Sequence, residues 1–157
     1  MRDDAHKETE TANTTSEITK AATYTAKGQT TYTAAFENQA FEKQTKVVDN
    51  VPKLAKKKQP MKVKVKAKTV KVKAVNKKAI TVAPITLKKA KGTVTYKLVS
   101  GNAKSKKALK LNKKKGKITV KKGTKKGSYS LKVKVTAAGT KVYKPGSKTV
   151  KITVKVK

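Results

Sequence analysis

Valine and isoleucine alternate with lysine through much of the second half of the chain. The alternation is clearest in residues 61–65, 70–72, 131–135 and 150–156. Because successive side chains of a strand point to opposite faces, a period of two places aliphatic groups on one face and ammonium groups on the other. β-Branched residues also favour strands. The pattern therefore predicts strands with a buried aliphatic face and a lysine-covered face, and it disfavours disorder despite the high charge.

Turn residues divide this part of the chain into short strands. Examples are Ala83-Pro84, Lys91-Gly92 and Lys144-Pro145-Gly146. Short alternating strands with such turns indicate an antiparallel sandwich or barrel, and about 100 residues is the usual size of a sandwich domain. The strands are predicted at about 61–66, 69–75, 79–82, 85–88, 93–99, 109–111, 117–121, 128–137 and 148–157.

The aliphatic positions change from odd to even numbers between Val65 and Val70. A bulge or kink at this point would keep both segments facing the core and could move the chain from one sheet to the other. The alternative is two strands joined by a tight turn. The predicted core consists of Val63, Val65, Val70, Val72, Ile80, Val82, Ile85, Leu87, Val94, Tyr96, Leu98, Leu109, Leu111, Ile118, Val120, Tyr129, Leu131, Val133, Val135, Val150, Ile152 and Val154.

The chain has 157 residues and a formal net charge of +34, and this charge is unevenly distributed. All eight acidic residues lie between Asp3 and Asp49, so residues 1–50, with six basic side chains, sum to −2. Residues 51–157 contain 36 lysines and no acidic residue. The chain therefore has two regions with different surface chemistry.

The first region is predicted to hold a disordered tail over 1–16 and a small two- or three-stranded β-meander over 17–50. A linker over 51–60 would join it to the sandwich over 61–157. In the meander, a turn at Lys27-Gly28 and a hairpin loop over 37–40 separate the strands. Its apolar anchors would be Tyr24, Tyr32, Phe36 and Phe41.

Several function classes are excluded by composition. Cysteine is absent, and His6 is the one histidine, so disulfides and thiolate or histidine zinc sites are not expected. No apolar run is long enough to span a membrane. The start of the sequence has no apolar leader, so we expect either a mature start or a segment cut from a longer protein.

Catalytic motifs are also missing from the second region. Glycoside hydrolysis needs paired carboxylates, and none follow Asp49. Residues 121–127 lack the spacing of a phosphate-binding loop. A lysine–asparagine isopeptide bond would need a buried acid beside Asn76, Asn102 or Asn112, and the region has none. We therefore expect no enzyme activity, no cofactor and no metal.

Two parts of the sequence resemble known bacterial surface modules. Residues 18–28 followed by 31–41 resemble the short repeats of large surface proteins from Gram-positive gut bacteria, with Tyr24 where many repeats carry cysteine. Residues 92–98, 116–123, 127–137 and 142–150 resemble the lysine-rich bacterial immunoglobulin-like (Big-type) domains that close such proteins.

This resemblance covers about 18–157 and implies an immunoglobulin-like antiparallel β-sandwich at about 54–157, preceded by the meander. It also implies an extracellular, non-enzymatic module, either on the bacterial cell surface or secreted. In such a fold Tyr129 would begin the penultimate strand with its hydroxyl bonded to nearby backbone, and Leu131 would replace the usual core cysteine. The alternative is that Tyr129 is an ordinary core tyrosine.

Four lysine clusters are candidate sites for polyanions, because closely spaced ammonium groups create a strong positive field. Partners would be anionic cell-wall polymers or other polyanions, bound non-specifically, and neighbouring domains of the parent protein. The dominance of lysine over arginine and the scarcity of aromatics disfavour sequence-specific nucleic-acid binding. The alternative is that lysine keeps the strands soluble and their edges unpaired. The candidate residues are Lys56, Lys57, Lys58, Lys104, Lys106, Lys107, Lys113, Lys114, Lys115, Lys121, Lys122, Lys125 and Lys126.

The function predicted from the sequence is therefore a structural spacer module that associates electrostatically with the cell envelope. An adhesin or a carbohydrate- or host-ligand-binding module is the alternative, and an intracellular nucleic-acid-binding protein is a third, less favoured class.

Overall fold

The computed structural model describes residues 9–157, so the beginning of the expected tail and His6 lie outside the described residues. The chain divides into two compact units with the boundary between Ala55 and Lys56. This boundary falls within residues 51–60, where the change in composition occurs. Each unit has its own sheets and is described by itself.

The first unit is a three-stranded antiparallel meander, β1-β2-β3, as the sequence predicted. Its strands are β1 (Thr14–Lys20), β2 (Gly28–Ala34) and β3 (Gln44–Val51). β1 begins inside the stretch that was expected to be tail, because Thr14, Thr15 and Ser16 pair with the end of β2.

Polar contacts and one aromatic pair accompany the backbone pairing in this unit. The rings of Phe36 and Phe41 lie 5.4 Å apart in the loop between β2 and β3. Buried Thr30 donates its hydroxyl hydrogen bond to the side chain of Asn50 at 2.6 Å. Most other side chains of the described part of this unit are exposed or half-buried. A three-stranded sheet with so little buried surface is marginally stable alone.

The second unit contains nine strands and two helices of six residues each. Most of the strands lie within one or two residues of the predicted positions. They are β4 (Lys62–Val65), β5 (Lys68–Val70), β6 (Ile80–Val82), β7 (Ile85–Lys88), β8 (Val94–Ser100), β9 (Leu109–Leu111), β10 (Ile118–Val120), β11 (Gly127–Ala137) and β12 (Gly146–Val156); the helices are α1 (Val72–Lys77) and α2 (Ala103–Ala108).

The strands form two layers. One layer is the sheet β5-β12-β11-β8, in which β11 and β12 pair along eleven residues each and β5 runs parallel to β12. The other layer contains β6-β10-β9 and the pair β4-β7. Two residues, Ala83 and buried Pro84, separate β6, which pairs with β10, from β7, which pairs with β4.

The chain changes sheet between β4 and β5, as the change of parity suggested. Val65, in β4, pairs antiparallel with Ile85 in β7, whereas Val70, in β5, pairs parallel with Val156 in β12. Two residues, Lys66 and Ala67, make the crossing. The two segments are separate strands in different sheets, joined by this two-residue connection.

Both helices lie in segments for which the sequence did not predict a helix. Residues 72–75 were predicted as strand but form α1, because the helical turn places Val75 in the core, where it is fully buried. The Val72 amide donates to the Lys157 carbonyl, so backbone pairing along β12 extends to the first residue of α1. Residues 104–107, which lie between the strands predicted at 93–99 and 109–111, belong to α2.

The core lies between the two layers and consists mostly of the predicted residues. In β11, Leu131, Val133 and Val135 are buried, and the lysines between them are exposed. Val65 and Leu98 were predicted to be buried but are 37% and 36% exposed. The core also includes residues that were not predicted, namely Val75, Ala108, Ala137 and Val156.

The tyrosine at the start of the penultimate strand forms the hydrogen bond expected of it. Tyr129 is buried, and its hydroxyl donates to the carbonyl of Lys125 at 2.8 Å, four residues upstream. Leu131, two residues later, is also buried. A tyrosine corner beside two layers of mostly antiparallel strands is typical of immunoglobulin-like domains. The second unit is thus an immunoglobulin-like β-sandwich.

Candidate anion-binding site

Helix α2 brings two predicted lysines to one side of the second unit. The side chain of Asn102 caps the helix by accepting a hydrogen bond from the Ser105 amide at 2.8 Å. The buried hydroxyl of Ser105 accepts a hydrogen bond from the Ser130 amide of β11 at 3.0 Å, which fixes the helix on the sheet. Lys104 and Lys107 are three residues apart and therefore lie on the same side of α2.

The turn between β10 and β11 is held beside α2 by its own backbone. The Lys121 amide donates to the carbonyl of Ala108, the last residue of α2, at 2.9 Å. Buried Thr124 donates its hydroxyl hydrogen bond to the Lys121 carbonyl at 2.7 Å. The Gly123 amide donates to the Val75 carbonyl at 3.2 Å, so α1 supports the turn from the other side.

Between α2 and this turn lies an open cavity of about 450 Å³. Ala108, Gly123, Thr124 and Tyr129 contribute its less polar surface. The Lys104 Nζ atom lies 5.7 Å from the centre of the Tyr129 ring, a cation–π distance. Five lysines line the cavity: Lys104, Lys107, Lys121, Lys122 and Lys125.

The positive charge of the cavity is not balanced by any side chain of its own unit. Residues 51–157 contain no aspartate or glutamate, so no lysine of the cavity can form an ion pair with a side chain of the second unit. Concave surfaces lined by charges of one sign concentrate the electrostatic potential and raise the local concentration of counter-ions. The arrangement can therefore attract and hold an anion, but it provides no carboxylate for acid–base chemistry.

The other candidate lysines lie outside this cavity. Lys106 and Lys126 belong to the same two segments but do not line it. Lys113, Lys114 and Lys115 form a turn whose Lys113 carbonyl accepts a hydrogen bond from the Tyr96 amide at 2.8 Å.

The cluster Lys56, Lys57 and Lys58 lies beside residues 140–144. Tyr143 forms a bridge with Lys57, and the ammonium of Lys56 donates to the Thr140 carbonyl at 3.3 Å. This cluster and the turn 113–115 are near the Ala137 end of β11, whereas the cavity is near Gly127. Ten residues of strand, roughly 33 Å, separate these ends. The structure therefore brings together two of the four clusters.

Tyr129, Ala108 and Thr124 were not predicted as parts of a site. A signal for α2 was present in the sequence, since Asn102 followed by Ser105 fits a capped helix start. No sequence pattern predicted the second cation–π contact, in which the Lys91 Nζ atom lies 5.7 Å from the centre of the Tyr143 ring.

One titratable group outside the cavity has a clearly altered pKa. Burial in the core raises the pKa of Tyr96, because removal from water disfavours the charged phenolate. Its ring packs against Gly116, where φ is +64° and a Cβ atom would overlap the ring.

The structure gives two further results on possible sites. Among residues 9–157, no three histidine, cysteine, aspartate or glutamate side chains are grouped so that they could hold a metal ion. The described helices are all too short and polar to cross a membrane.

No family model and no curated protein matches the chain. Among solved structures it is similar to Drosophila N-cadherin EC1-4, with 14% identity over 82% of this chain and 32% of that chain and a TM-score of 0.47. The chain is also similar to extracellular cadherin domains 1–5 of protocadherin gamma B2. The identity is 17%, the match covers 94% of this chain and 32% of that chain, and the TM-score is 0.47. A third similar structure is a SusE-like, surface-located polysaccharide-binding protein of Bacteroides thetaiotaomicron. The identity is 15%, the match covers 82% of this chain and 32% of that chain, and the TM-score is 0.37. The chain spans about a third of each of these chains, and at such low TM-scores the similarities carry no weight for function.

Proposed function

We propose that this chain is a non-enzymatic, extracellular structural or spacer module of a bacterial surface protein, and that its lysines attach it loosely to anionic envelope polymers. The supporting observation is the distribution of charge in the second unit. Its strand lysines, such as Lys132, Lys134 and Lys151, are exposed, while the aliphatic residues between them are buried. The unit has no acidic side chain to neutralise them.

The stacked layers and the absence of paired carboxylates in residues 51–157 fit a supporting role better than a catalytic one. The resemblance of residues 18–157 to surface repeats and Big-type domains supports the extracellular compartment. In this proposal the meander, the linker over 51–60 and the sandwich are consecutive parts of a longer surface protein. The anionic wall polymers and the neighbouring domains are its partners.

Binding to purified cell wall tests this function. The full chain should be retained by immobilised wall polymer and by a heparin resin at low salt. It should elute as salt is raised, because added ions screen exposed charges beyond about 10 Å at 0.1 M. An uncharged dextran resin is the control. If low-salt buffer does not retain the chain on either anionic resin, the proposed attachment is wrong.

The cavity favours a second candidate function, a carbohydrate- or host-ligand-binding module. Its volume of about 450 Å³ falls within the usual range of ligand pockets, about 300–1,000 Å³. Retention that survives moderate salt, where diffuse attraction is screened, would favour this second function.

A further inference from the structure

We propose that the cavity between α2 and the turn over 121–125 is a discrete binding site for sulfate or phosphate ester groups on a polymer of sugars or polyols. This inference deepens the proposed function and rests on it. It replaces a diffuse attraction, spread over all lysines, with one place where the polymer is held.

The cavity is a built feature of the fold. Its two walls are tied to each other by the hydrogen bond from the Lys121 amide to the Ala108 carbonyl, and α2 is tied to β11 through Ser105. Thr124 and Tyr129 are 7% and 2% exposed, and both use their hydroxyls to bond backbone carbonyls of the turn. The backbone that carries the cavity lysines is therefore ordered before a ligand binds, which lowers the entropic cost of binding.

The chemistry of the lining matches a tetrahedral oxyanion. Each ammonium group offers three donors and no acceptor. Hydrogen bonds from an ammonium to a charged oxygen are stronger than neutral ones, and lysine binds phosphate as a point charge. Five such groups surround the cavity with no carboxylate of the second unit to compete for them. An anion from outside the second unit is therefore needed to neutralise this charge.

The same lining disfavours nucleic acid as the polymer. Single-stranded nucleic acid is held largely by stacking of its bases on exposed aromatic rings. The one ring at the cavity, Tyr129, is 2% exposed, which is too little accessible surface for a base to stack on. The planar fork of arginine, a frequent partner of guanine edges, is also missing from residues 9–157. A polymer recognised by its ester charges alone fits the cavity better.

A pair of variants with equal loss of charge tests the site. The cavity variant carries Lys107→Gln, Lys122→Gln and Lys125→Gln; the control carries Lys132→Gln, Lys134→Gln and Lys151→Gln on the outer face of β11 and β12. All six lysines are exposed, so neither variant removes core packing. Circular dichroism checks that both full chains fold.

The measurement is the dissociation constant for a dextran sulfate oligomer at one fixed salt concentration. The cavity variant should bind roughly tenfold more weakly or worse, since it loses charge-assisted bonds. The control should lose about twofold, as expected for screened surface charges. Equal losses in both variants would overturn the cavity site while leaving the proposed function intact. Failure of the unaltered chain to bind at low salt would overturn both.

A second measurement uses the unaltered chain and is independent of how the variants fold. Nuclear magnetic resonance should show amide shifts at Lys104, Gly123 and Thr124 when the oligomer is added, with little change at Lys132 and Lys151. Shifts spread evenly over the lysine-bearing strands would contradict a discrete site.

Three polymers distinguish the source of the anion. Cavity-dependent binding of the dextran sulfate oligomer would assign the site to sulfated glycans, and cavity-dependent binding of a poly(glycerol phosphate) oligomer would assign it to wall-type polyol phosphates. Either result supports the proposal. Tighter cavity-dependent binding of single-stranded oligothymidylate than of both would overturn it in favour of nucleic acid.

Discussion

Tyr129 connects the core of the sandwich to the turn that borders the cavity. Its ring is buried beside Leu131, and its hydroxyl donates to the Lys125 carbonyl at 2.8 Å. Lys104 approaches the same ring from α2. One side chain thus links the folding core, the turn and the helix.

Replacing Tyr129 with phenylalanine should lower the free energy of unfolding of the second unit by about 1 kcal/mol, because one hydrogen bond is lost and a carbonyl loses its partner. Urea denaturation followed by circular dichroism measures this change. Tyr143→Phe is the matched control, since its ring keeps the contact with Lys91, and it should stay within about 0.5 kcal/mol of the original protein. Equal effects of the two substitutions would show that the corner hydrogen bond is unimportant.

Tyr96 should make stability depend on alkaline pH. Because burial raises its pKa in the folded state, the unfolded chain loses the proton first as pH rises above about 10. The contribution of Tyr96 is therefore fully present below pH 10 and is lost above it. As the pH is raised above 10, the melting temperature of the original protein should fall further than that of Tyr96→Phe. The lysines are the same in both proteins, so the difference isolates Tyr96, and parallel curves would contradict the prediction.

At the level of the strand, the alternating pattern buries aliphatic side chains on one face and places lysines that repel one another on the other face. Lys132 of β11 lies directly opposite Lys151 of β12, and Lys134 lies opposite Lys97 of β8. Like charges directly across a strand pair are destabilising. The buried neighbours Leu131, Val133 and Ile152 offset this repulsion through removal of their apolar surface from water.

Lys132→Glu should stabilise the second unit by about 0.5–1 kcal/mol, because it turns a repulsive cross-strand pair with Lys151 into an attractive one. Lys110→Glu is the control: it changes net charge equally, but its cross-strand partner on β10 is Thr119. Urea denaturation at low salt compares the two. The prediction fails if Lys110→Glu stabilises as much as Lys132→Glu, or if their difference does not shrink when salt is added.

Helix α1 shows that the alternation of aliphatic residues with lysine is not sufficient to predict secondary structure. Val70 and Val72 continue the alternation, so a strand was the natural prediction, yet Val72 and Val75 are also three residues apart, as on one side of a helix. The local sequence fits both structures. The choice is made by tertiary packing, because the helical turn places Val75 in the core, where it is fully buried.

At the level of the whole chain, the two units differ in both charge and burial. Residues 51–157 carry all of the excess positive charge, and the second unit holds nearly all of the fully buried side chains among the described residues. The meander has little buried surface besides Thr30. The two units should therefore respond differently to solution conditions.

Moderate salt should raise the melting temperature of the second unit, because screening shortens the range of lysine–lysine repulsion to about 10 Å at 0.1 M. Differential scanning calorimetry between low and moderate salt measures this effect. The first unit, whose residues sum to a charge near zero, is the internal comparison and should change much less. A melting temperature of the second unit that stays flat or falls would contradict the prediction.

The sequence by itself determined the class of fold, the inward face of most strands and the separation of charge. These properties depend on neighbouring residues and on the period of two, as in β11, where burial follows the alternation from Tyr129 to Ala137. Only the tertiary structure decided which lysines share a cavity. Lys104 and Lys107 are more than ten residues from Lys121, and they meet it because α2 is fixed on β11 and the turn after β10 is fixed on α2. Such long-range pairing depends on sheet order, which local periodicity does not encode.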